Sequence, residues 1–358
     1  MRTLLPLIAL TAACTDNTIE ATGSGYVEAT AQGPDGIELP LAIWYPADTT
    51  ESTELASYQF DLSGEAYAEA PPATGPFPII INSHGNGGAK HAGATLFEQW
   101  AEAGYVVVSL DHVGNTFTDR PSAAEWIDIY IRRPEDVAAA YTHVVDLAAQ
   151  EDGVLSGMVD AETLILAGHS TGGATVILAS GGTMNRSTVL AACATNQISG
   201  TACDIADASE GATISLQPDV LPDPVATIAL APLDGSLFSD DLDMTGASLV
   251  VVGTRDRVTP SNSNATPLYE SMPSPKAKVE LQDANHYVFA TVCQIPGLGA
   301  VLGDVAEDCV DPDFMTEETA IAATGAISIA FLDKYVAGNS EASVDSAASG
   351  FDVTIESE

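Results

Sequence analysis

The segment Leu164–Ile177, LILAGHSTGGATVI, joins two apolar runs through a short glycine-rich turn, and residues 168–172 match the pattern G-x-S-x-G. The first run is typical of a buried strand, and the small and apolar residues after the turn are typical of a packed helix. Such a turn is so tight that its serine takes a strained backbone conformation and its neighbours must be small. The segment therefore predicts a strand, a serine raised above the end of a sheet, and a helix.

Strands and helices are predicted to alternate on both sides of this turn. The predicted strands are rich in Val, Ile and Leu and comprise Phe77–His84, Tyr105–His112, Thr163–Ser170, Val225–Leu233, Ser248–Asp256 and Lys276–Ala284. The predicted helices are Leu96–Gly104, Pro134–Gln150, one beginning at Thr171, and Glu317–Val336. Near-continuous apolar strands separated by helices indicate an α/β fold, with a mostly parallel central sheet and helices on both faces.

Three segments do not follow this alternation. Residues 26–46 alternate around a Pro-Asp-Gly turn and predict an N-terminal antiparallel hairpin. Residues 183–224, rich in Gly, Ser, Asp and Pro, predict an insertion or lid over one end of the sheet. Residues 338–358 are acidic and serine-rich with little to bury, which predicts a mobile tail. A single domain, residues 26–337, is therefore expected to carry the sheet.

A serine hydroxyl is a weak nucleophile at neutral pH and needs a base that an acid holds in place. In turns of this kind the acid and then the histidine follow the serine along the chain. His286 comes just after the last predicted strand, where a loop can place it over Ser170. Asp256 lies at the carboxyl end of a buried strand, on the rim that carries the serine, and Asp234 is the alternative acid one strand earlier. The predicted triad is Ser170, Asp256 and His286.

The oxyanion of a tetrahedral intermediate needs backbone donors. One is the amide of the residue after the nucleophile, here Thr171. The loop NSHGNGG, residues 82–88, follows an early predicted strand and can bring its backbone close to a ligand, so we expect the Asn86 amide to be the second donor. His169 and Trp126 are candidate substrate-pocket residues, although core packing is the commoner role of an aromatic residue in such a stretch.

The charge balance is strongly negative. The 358 residues include 50 Asp and Glu but only 11 Lys and Arg, for a formal net charge of −39. Because binding to phosphates requires clustered cations, this composition argues against nucleic acid as a partner and against an anionic polymer as a substrate. The predicted chemistry requires no metal or organic cofactor, and we expect a monomer.

The first residues, MRTLLPLIALTAAC, predict export. One Arg precedes an apolar run that is too short to span a bilayer, and small residues precede Cys14. This order resembles a bacterial lipoprotein signal, in which Cys14 would carry the lipid and provide the only membrane attachment. Thr11 stands where Leu is usual, so an ordinary secretory signal in residues 1–14 is the alternative. Residues 15–25 are polar and small and suit a tether.

The cysteine count agrees with an exported protein. Without Cys14 four cysteines remain, and four cysteines allow three pairings. The local pairs, Cys193 with Cys203 and Cys293 with Cys309, are the predicted disulfides. Neither pair has zinc-ligand spacing with a histidine, and free thiols do not fit an oxidising compartment.

Several motifs resemble known families. HGNGG, LDHVGNT, RRPEDV and GHSTGGAT resemble the dienelactone hydrolase-like and platelet-activating-factor acetylhydrolase-like branch of the α/β-hydrolase fold. GTRDRVTP, followed by the segment that ends in DANH, resembles bacterial cutinases, which are polyester hydrolases. The resemblance covers about residues 77–336 and implies that Asp256 and His286 complete the triad beside an open, shallow acyl site. True dienelactone hydrolases use a cysteine, from which Ser170 departs.

Together these features predict an exported bacterial serine carboxylic-ester hydrolase that works through an acyl-enzyme. Two alternatives are left open by the residues alone. A peptidase or amidase would use the same triad on a different bond. A surface-tethered binding module with an inactive hydrolase fold would not need all three side chains.

Overall fold

The computed structural model describes residues 19–62, 64–198, 200–233, 237–295, 309 and 311–358. The predicted signal with Cys14 and the alternative acid Asp234 lie outside these residues. The strands are β1 (Gly23–Gln32), β2 (Glu38–Ala47), β3 (Tyr67–Ala68), β4 (Phe77–Ser83), β5 (Val106–Leu110), β6 (Val159–His169), β7 (Thr183–Asn185), β8 (Thr213–Ser215), β9 (Ala226–Leu230), β10 (Ala247–Gly253), β11 (Lys276–Leu281) and β12 (Val353–Ser357). The helices are α1 (Ala94–Glu102), α2 (Ala123–Ala148), α3 (Thr171–Ala179), α4 (Arg186–Ala194), α5 (Thr201–Ala208), α6 (Ala265–Ser271), α7 (Glu317–Tyr335) and α8 (Val344–Ala347).

Ten strands form one twisted sheet in the order β12-β11-β10-β9-β6-β4-β5-β2-β1-β3. Its centre, from β5 to β11, is parallel. The hairpin of β1 and β2 joins β5 in the antiparallel sense, and β12 joins β11 in the same way. The sheet is therefore mixed rather than mostly parallel, because antiparallel strands extend the parallel centre at both sides.

The sheet is buried on both faces, as its apolar strands require. In β4, Ile80 packs into one apolar cluster with Phe97 of α1 and Phe331 of α7. Its neighbours Ile79 and Ile81 point to the other face, into a cluster with α2 and α3. Full burial of such a side chain stabilises the fold by about 1.5–3 kcal/mol, so the helices on both faces fix the position of the strand ends.

Helix α2 begins earlier than the sequence predicted. The Ser122 hydroxyl accepts a hydrogen bond from the Glu125 amide, and the Glu125 carboxylate accepts one from the Ser122 amide. This capping box starts the helix at Ala123, which leaves Pro134 inside the helix rather than in its first turn. Proline inside a helix removes a hydrogen bond and costs about 3 kcal/mol, and here the capping box and the buried face of α2 offset that cost.

The C-terminal segment differs from the expected mobile tail. It forms α8 and then β12, whose residues pair with β11 from Ala277 to Leu281. Two lysines of β11 contact carboxylates of the C-terminal segment: the Lys278 Nζ lies 2.8 Å from Glu356 in β12, and the Lys276 Nζ lies 3.3 Å from Glu358 just beyond it. The acidic residues of the tail thus pair with two of the few cations of this chain.

The insertion at residues 183–224 forms β7, α4, α5 and β8. Its apolar side chains, including Met184, Val189 and Ala206, pack in one cluster with residues of α3. The disulfide between Cys193 and Cys203 joins α4 to α5, as predicted. The predicted second disulfide is also present. Within the described ranges, no helix is long and apolar enough to cross a membrane.

Candidate active site

The turn at Ser170 has the geometry that its sequence predicted. Ser170 lies between β6 and α3 with φ 55° and ψ −119°, a conformation that residues with a Cβ seldom adopt. A Cβ on Gly172 would overlap the Ser83 carbonyl oxygen at the end of β4, and one on Gly168 would overlap the Gly172 carbonyl. Both glycines are therefore required for α3 to start this close to the sheet.

The backbone of Ser170 is fixed by the neighbouring strand. Its amide donates to the Leu230 carbonyl at the end of β9 (2.9 Å), and its carbonyl accepts from the Leu233 amide (3.0 Å). The strained conformation is thus held by two hydrogen bonds besides those of the helix. The side chain lines a cavity and the residue is 7 % exposed.

His286 and Asp256 are joined at the same rim of the sheet. Asp256 follows β10 and His286 follows β11, so the carboxyl ends of neighbouring parallel strands bring them together. The His286 Nδ1 lies 2.7 Å from the Asp256 Oδ2, and both residues are buried. Because Nδ1 is bonded to Asp256, Nε2 is the nitrogen of His286 that is left for another partner. His286 and Ser170 line the same cavity.

The Asp256 carboxylate is held by three further donors. Its Oδ1 accepts hydrogen bonds from the Val258 amide (2.8 Å) and the Thr259 amide (2.7 Å). The Thr259 hydroxyl lies 2.9 Å from Oδ2 and 3.1 Å from the Ala231 carbonyl oxygen. Burial alone would raise the pKa of Asp256, but the hydrogen bonds from His286 and Thr259 outweigh it and lower the pKa below its usual value. Asp256 is therefore an anion at neutral pH.

His169, within the turn, contacts the histidine of this pair. Its Nε2 lies 2.9 Å from the His286 carbonyl oxygen, and the two rings are 4.7 Å apart between centroids. Burial, followed by the nearby His286, lowers the pKa of His169 to about 3. A neutral imidazole has one N–H, and the carbonyl partner places that hydrogen on Nε2. His169 thus anchors the backbone of His286.

The loop after β4 passes directly against the serine. A Cβ on Gly85 would lie 3.2 Å from the Ser170 Cβ. Asn86 lines the cavity, and its side-chain oxygen accepts hydrogen bonds from the Asn115 amide group (2.7 Å) and from the Trp126 Nε1 (2.9 Å). Trp126 itself lines a neighbouring cavity rather than the one that holds Ser170. The loop is therefore fixed beside the serine by two side chains from outside it.

A buried arginine, which the sequence analysis did not single out, supports the same loop. Arg133 of α2 is fully buried; it donates to the His84 carbonyl, to the Ser83 hydroxyl (3.2 Å) and to the Asn115 side-chain oxygen (2.9 Å). Burial lowers the pKa of Arg133 to about 9, so it stays a cation at neutral pH. Arg133 thus connects α2 to the start of the loop that carries Asn86 and to Asn115, which itself contacts Asn86.

A second serine–histidine–aspartate chain lies beneath the loop. The Ser83 hydroxyl is 2.9 Å from the His112 Nε2, and the His112 Nδ1 is 2.9 Å from the Asp136 Oδ2. All three residues are fully buried. Burial lowers the pKa of His112 well below its usual value and raises the pKa of Asp136 to about 6, even though Arg132 opposes the latter shift. Since no solvent reaches this chain, it serves as an internal support and cannot bind a substrate.

The cavity at Ser170 has a volume of about 270 Å³. Its polar lining includes Ser170, His286 and Asn86. Most of the remainder is apolar and comes from four separate parts of the chain, with the side chains of Phe60, Leu62, Phe117, Val258, Val292 and Ile295. Among the described residues, none from the insertion at 183–224 lines it, because the insertion packs on α3.

The structure brings together five residues that the sequence singled out: Ser170, Asp256, His286, Asn86 and His169. Thr171 is buried as the first residue of α3. The side chains that sequence reasoning missed are Thr259, Arg133, Phe60, Leu62 and Phe117. Two of them had a signal: Thr259 lies three residues after the predicted acid, and Arg133 lies in the RRPEDV motif.

No family model matches this chain. The chain is similar to three bacterial cutinases over 219 residues, or 61 % of its length. They are Cutinase 1 from Thermobifida cellulosilytica (25 % identical), a cutinase from Thermobifida fusca strain YX (25 %) and Cutinase est1 from Thermobifida alba (26 %). The match spans 63 %, 55 % and 56 % of those proteins, which is less than two thirds of each.

Proposed function

We propose that this protein is an exported serine carboxylic-ester hydrolase of the cutinase-like type, with the α/β-hydrolase fold. One observation carries the proposal: a hydrogen-bonded Asp256–His286 pair and a strained, cavity-lining Ser170 meet at one rim of the sheet. The hydrogen-bonded series Ser83–His112–Asp136 resembles this arrangement, but it is fully buried and no ligand can reach it. Access to the cavity therefore selects Ser170 as the nucleophile.

The reaction follows from the geometry. The His286 Nε2 takes the proton of the Ser170 hydroxyl as its oxygen attacks the ester carbonyl carbon. Asp256, anionic and fixed by Thr259, holds the imidazole by Nδ1 and stabilises its protonated form. The amides of Asn86 and Thr171 receive the negative charge that develops on the carbonyl oxygen. His286 then gives its proton to the leaving alcohol, which leaves an acyl group on Ser170.

The second half repeats the first with water as the nucleophile. His286 takes a proton from a water molecule, which attacks the acyl carbonyl, and the acid is released when Ser170 recovers its proton. Each half needs a correctly positioned His286 and a fixed loop at Asn86. The His169 contact and the Arg133 contacts support these two requirements.

Two further observations support the assignment. The cutinases to which the chain is similar lend weight to ester bonds rather than amide bonds as the target. The two disulfides fit an oxidising compartment and thus an exported protein. The lipid at Cys14 and the closer kinship with the dienelactone hydrolase-like branch stay predictions.

Hydrolysis of p-nitrophenyl butyrate tests the proposal. The wild-type protein should release p-nitrophenol, and Ser170→Ala should lose this activity while keeping its melting temperature within a few degrees. The matching p-nitroanilide should be cleaved far more slowly by the wild type. Unchanged ester turnover by Ser170→Ala would refute the proposal, and preferential cleavage of the anilide would favour the amidase alternative.

A further inference from the structure

The connection between β2 and β4, which is polar in sequence, folds over the candidate active site. Phe60 and Leu62 from this connection line the cavity that contains Ser170. Leu62 is buried and Phe60 is half-buried. We refer to residues 58–62 and 64–66 as the cap segment. Tyr58, Leu62 and Ala66 of this segment pack into the apolar cluster of Ile80, and the segment also reaches the cavity.

A buried carboxylate on α1 holds the cap segment in place. Glu98 is 5 % exposed, and its Oε1 accepts hydrogen bonds from the Tyr58 hydroxyl and from the backbone amides of Glu65 (3.0 Å) and Ala66 (3.2 Å). The Tyr58 oxygen in turn accepts from the Trp44 Nε1 (2.8 Å). The cap segment is therefore tied at both of its ends to a side chain of the core.

The residue that reaches the cavity is held in a strained conformation. Phe60 has φ 66° and ψ 22°, in the left-handed region that favours glycine. Its ring packs edge-on against Phe117 with the centroids 5.2 Å apart. Strain of this kind persists where the surroundings enforce it, and it concentrates at binding and catalytic sites. Keeping a large aromatic side chain at this position points to a role for the ring in the cavity.

The Phe60–Phe117 pair lines the cavity of Ser170. The Phe117 amide donates to the Gly88 carbonyl (2.9 Å), which joins the pair to the loop that carries Asn86. The leaving alcohol takes its proton from His286 and must therefore lie beside His286. We expect the group that stays attached to Ser170 to face Phe60 and Leu62.

We propose that the cap segment is a fixed wall of the acyl pocket, and that Phe60 and Leu62 restrict the protein to esters of compact apolar acids. This inference rests on the proposed function. The cavity of about 270 Å³ lies just below the common range for small-molecule pockets, about 300–1,000 Å³. A long acyl chain would have to displace Phe60, which Glu98 and Tyr58 oppose through the cap segment.

The test compares kcat/KM for p-nitrophenyl butyrate and p-nitrophenyl octanoate. Phe60→Ala should raise the octanoate-to-butyrate ratio at least about tenfold over the wild type, because it opens the wall. Phe60→Trp should lower the octanoate-to-butyrate ratio, because the larger side chain narrows the pocket; the two variants thus change the ratio in opposite directions. Leu55→Ala is the matched control: Leu55 lies in the same connection, is 53 % exposed and is absent from the cavity lining. It should leave the ratio unchanged.

The outcomes separate the two proposals. Ester turnover with the same ratio in Phe60→Ala, Phe60→Trp and the wild type overturns the fixed wall and leaves the proposed function standing. A wild type that prefers octanoate to butyrate also overturns it. No turnover of any ester by the wild type overturns the proposed function, and this inference with it.

Discussion

The Nδ1 of His286 lies 2.7 Å from the Oδ2 of Asp256, across 30 positions of the chain. A second histidine–aspartate pair, His112 with Asp136, has nearly the same separation, 2.9 Å. The pairs differ in access, since His286 lines a cavity and His112 is sealed within the core. Hydrogen-bond geometry alone would not tell a catalytic pair from a structural one, and the cavity decides between them.

Replacement of the acid tests the role of this pair. Asp256→Asn keeps the shape of the side chain but lets the amide group donate, which favours the wrong tautomer of His286. We expect kcat for p-nitrophenyl butyrate to fall by about 10⁴-fold with a nearly unchanged KM. Steady-state kinetics at pH 8 measure this. A decrease of less than tenfold would mean that another residue, such as Asp234, provides the acid.

Thr259 is expected to act through Asp256. Thr259→Val keeps the volume but removes the hydroxyl that lies 2.9 Å from the carboxylate. A hydrogen bond to a charged group is worth about 1.5–3 kcal/mol, so kcat should fall roughly tenfold or more. Thr259→Ser keeps the hydroxyl and should retain most of the activity. Equal kinetics for the Val and Ser variants would contradict a positioning role.

Arg133 should matter for both stability and rate. Arg133→Met removes a buried cation together with its bonds to the His84 carbonyl and to Asn115. Each buried acceptor that loses its donor costs about 1–3 kcal/mol, which urea unfolding can measure. The remaining folded protein should have a lower kcat, because the loop at Asn86 loses its support. A variant with wild-type stability and kcat would show that the loop is held by other contacts.

The buried histidines should make stability depend on pH. Burial is the main cause that lowers the folded-state pKa of His169, to about 3, from the usual 6.5. Below pH 6.5 the unfolded chain binds a proton that the folded protein does not, so the free energy of unfolding falls as the pH falls. The slope for one such group reaches about 1.4 kcal/mol per pH unit.

His169→Gln isolates this contribution, because glutamine can still donate to the His286 carbonyl but does not titrate. Between pH 4.5 and 6.5 its unfolding free energy should depend less on pH than that of the wild type. Urea unfolding across this interval measures both slopes. His84 and His112, whose pKa values burial also lowers, should leave a residual slope in the variant. If the unfolding free energies of the two proteins had the same pH dependence, the lowered pKa of folded-state His169 would be contradicted.

The parts of the fold set by local patterns were predictable. The glycines around Ser170 predict a tight strand–helix turn. Asp256 and His286 follow Ser170 in sequence, each after a predicted strand, and the carboxyl ends of parallel strands lie on one rim of the sheet. The disulfides followed from their short spacing. The edge strand β12 was not predicted. Apolar and polar residues alternate in Val353-Thr354-Ile355, as in a strand, but the acidic residues on both sides made the segment look like a mobile tail.

The parts set by tertiary context were not predictable. Arg133 is charged and lies in a helix, which usually predicts exposure, and the partners that allow its burial are distant in sequence, namely Ser83, the His84 carbonyl and Asn115. The cap segment contains Tyr58 and Phe60 in a polar stretch, but nothing local indicates that Glu98 will bind its backbone. The sequence predicted an insertion or lid at residues 183–224 but did not indicate whether it covers the site, and its apolar residues pack on α3.

Covalent labelling of the serine tests the central claim most directly. A fluorophosphonate should add one equivalent to the wild type, and peptide mass spectrometry should find the adduct on Ser170. Ser170→Ala should stay unlabelled, while Ser83→Ala, which alters the buried chain, should still be labelled at Ser170. An adduct on any other residue, or no adduct on the folded wild-type protein, would contradict the account.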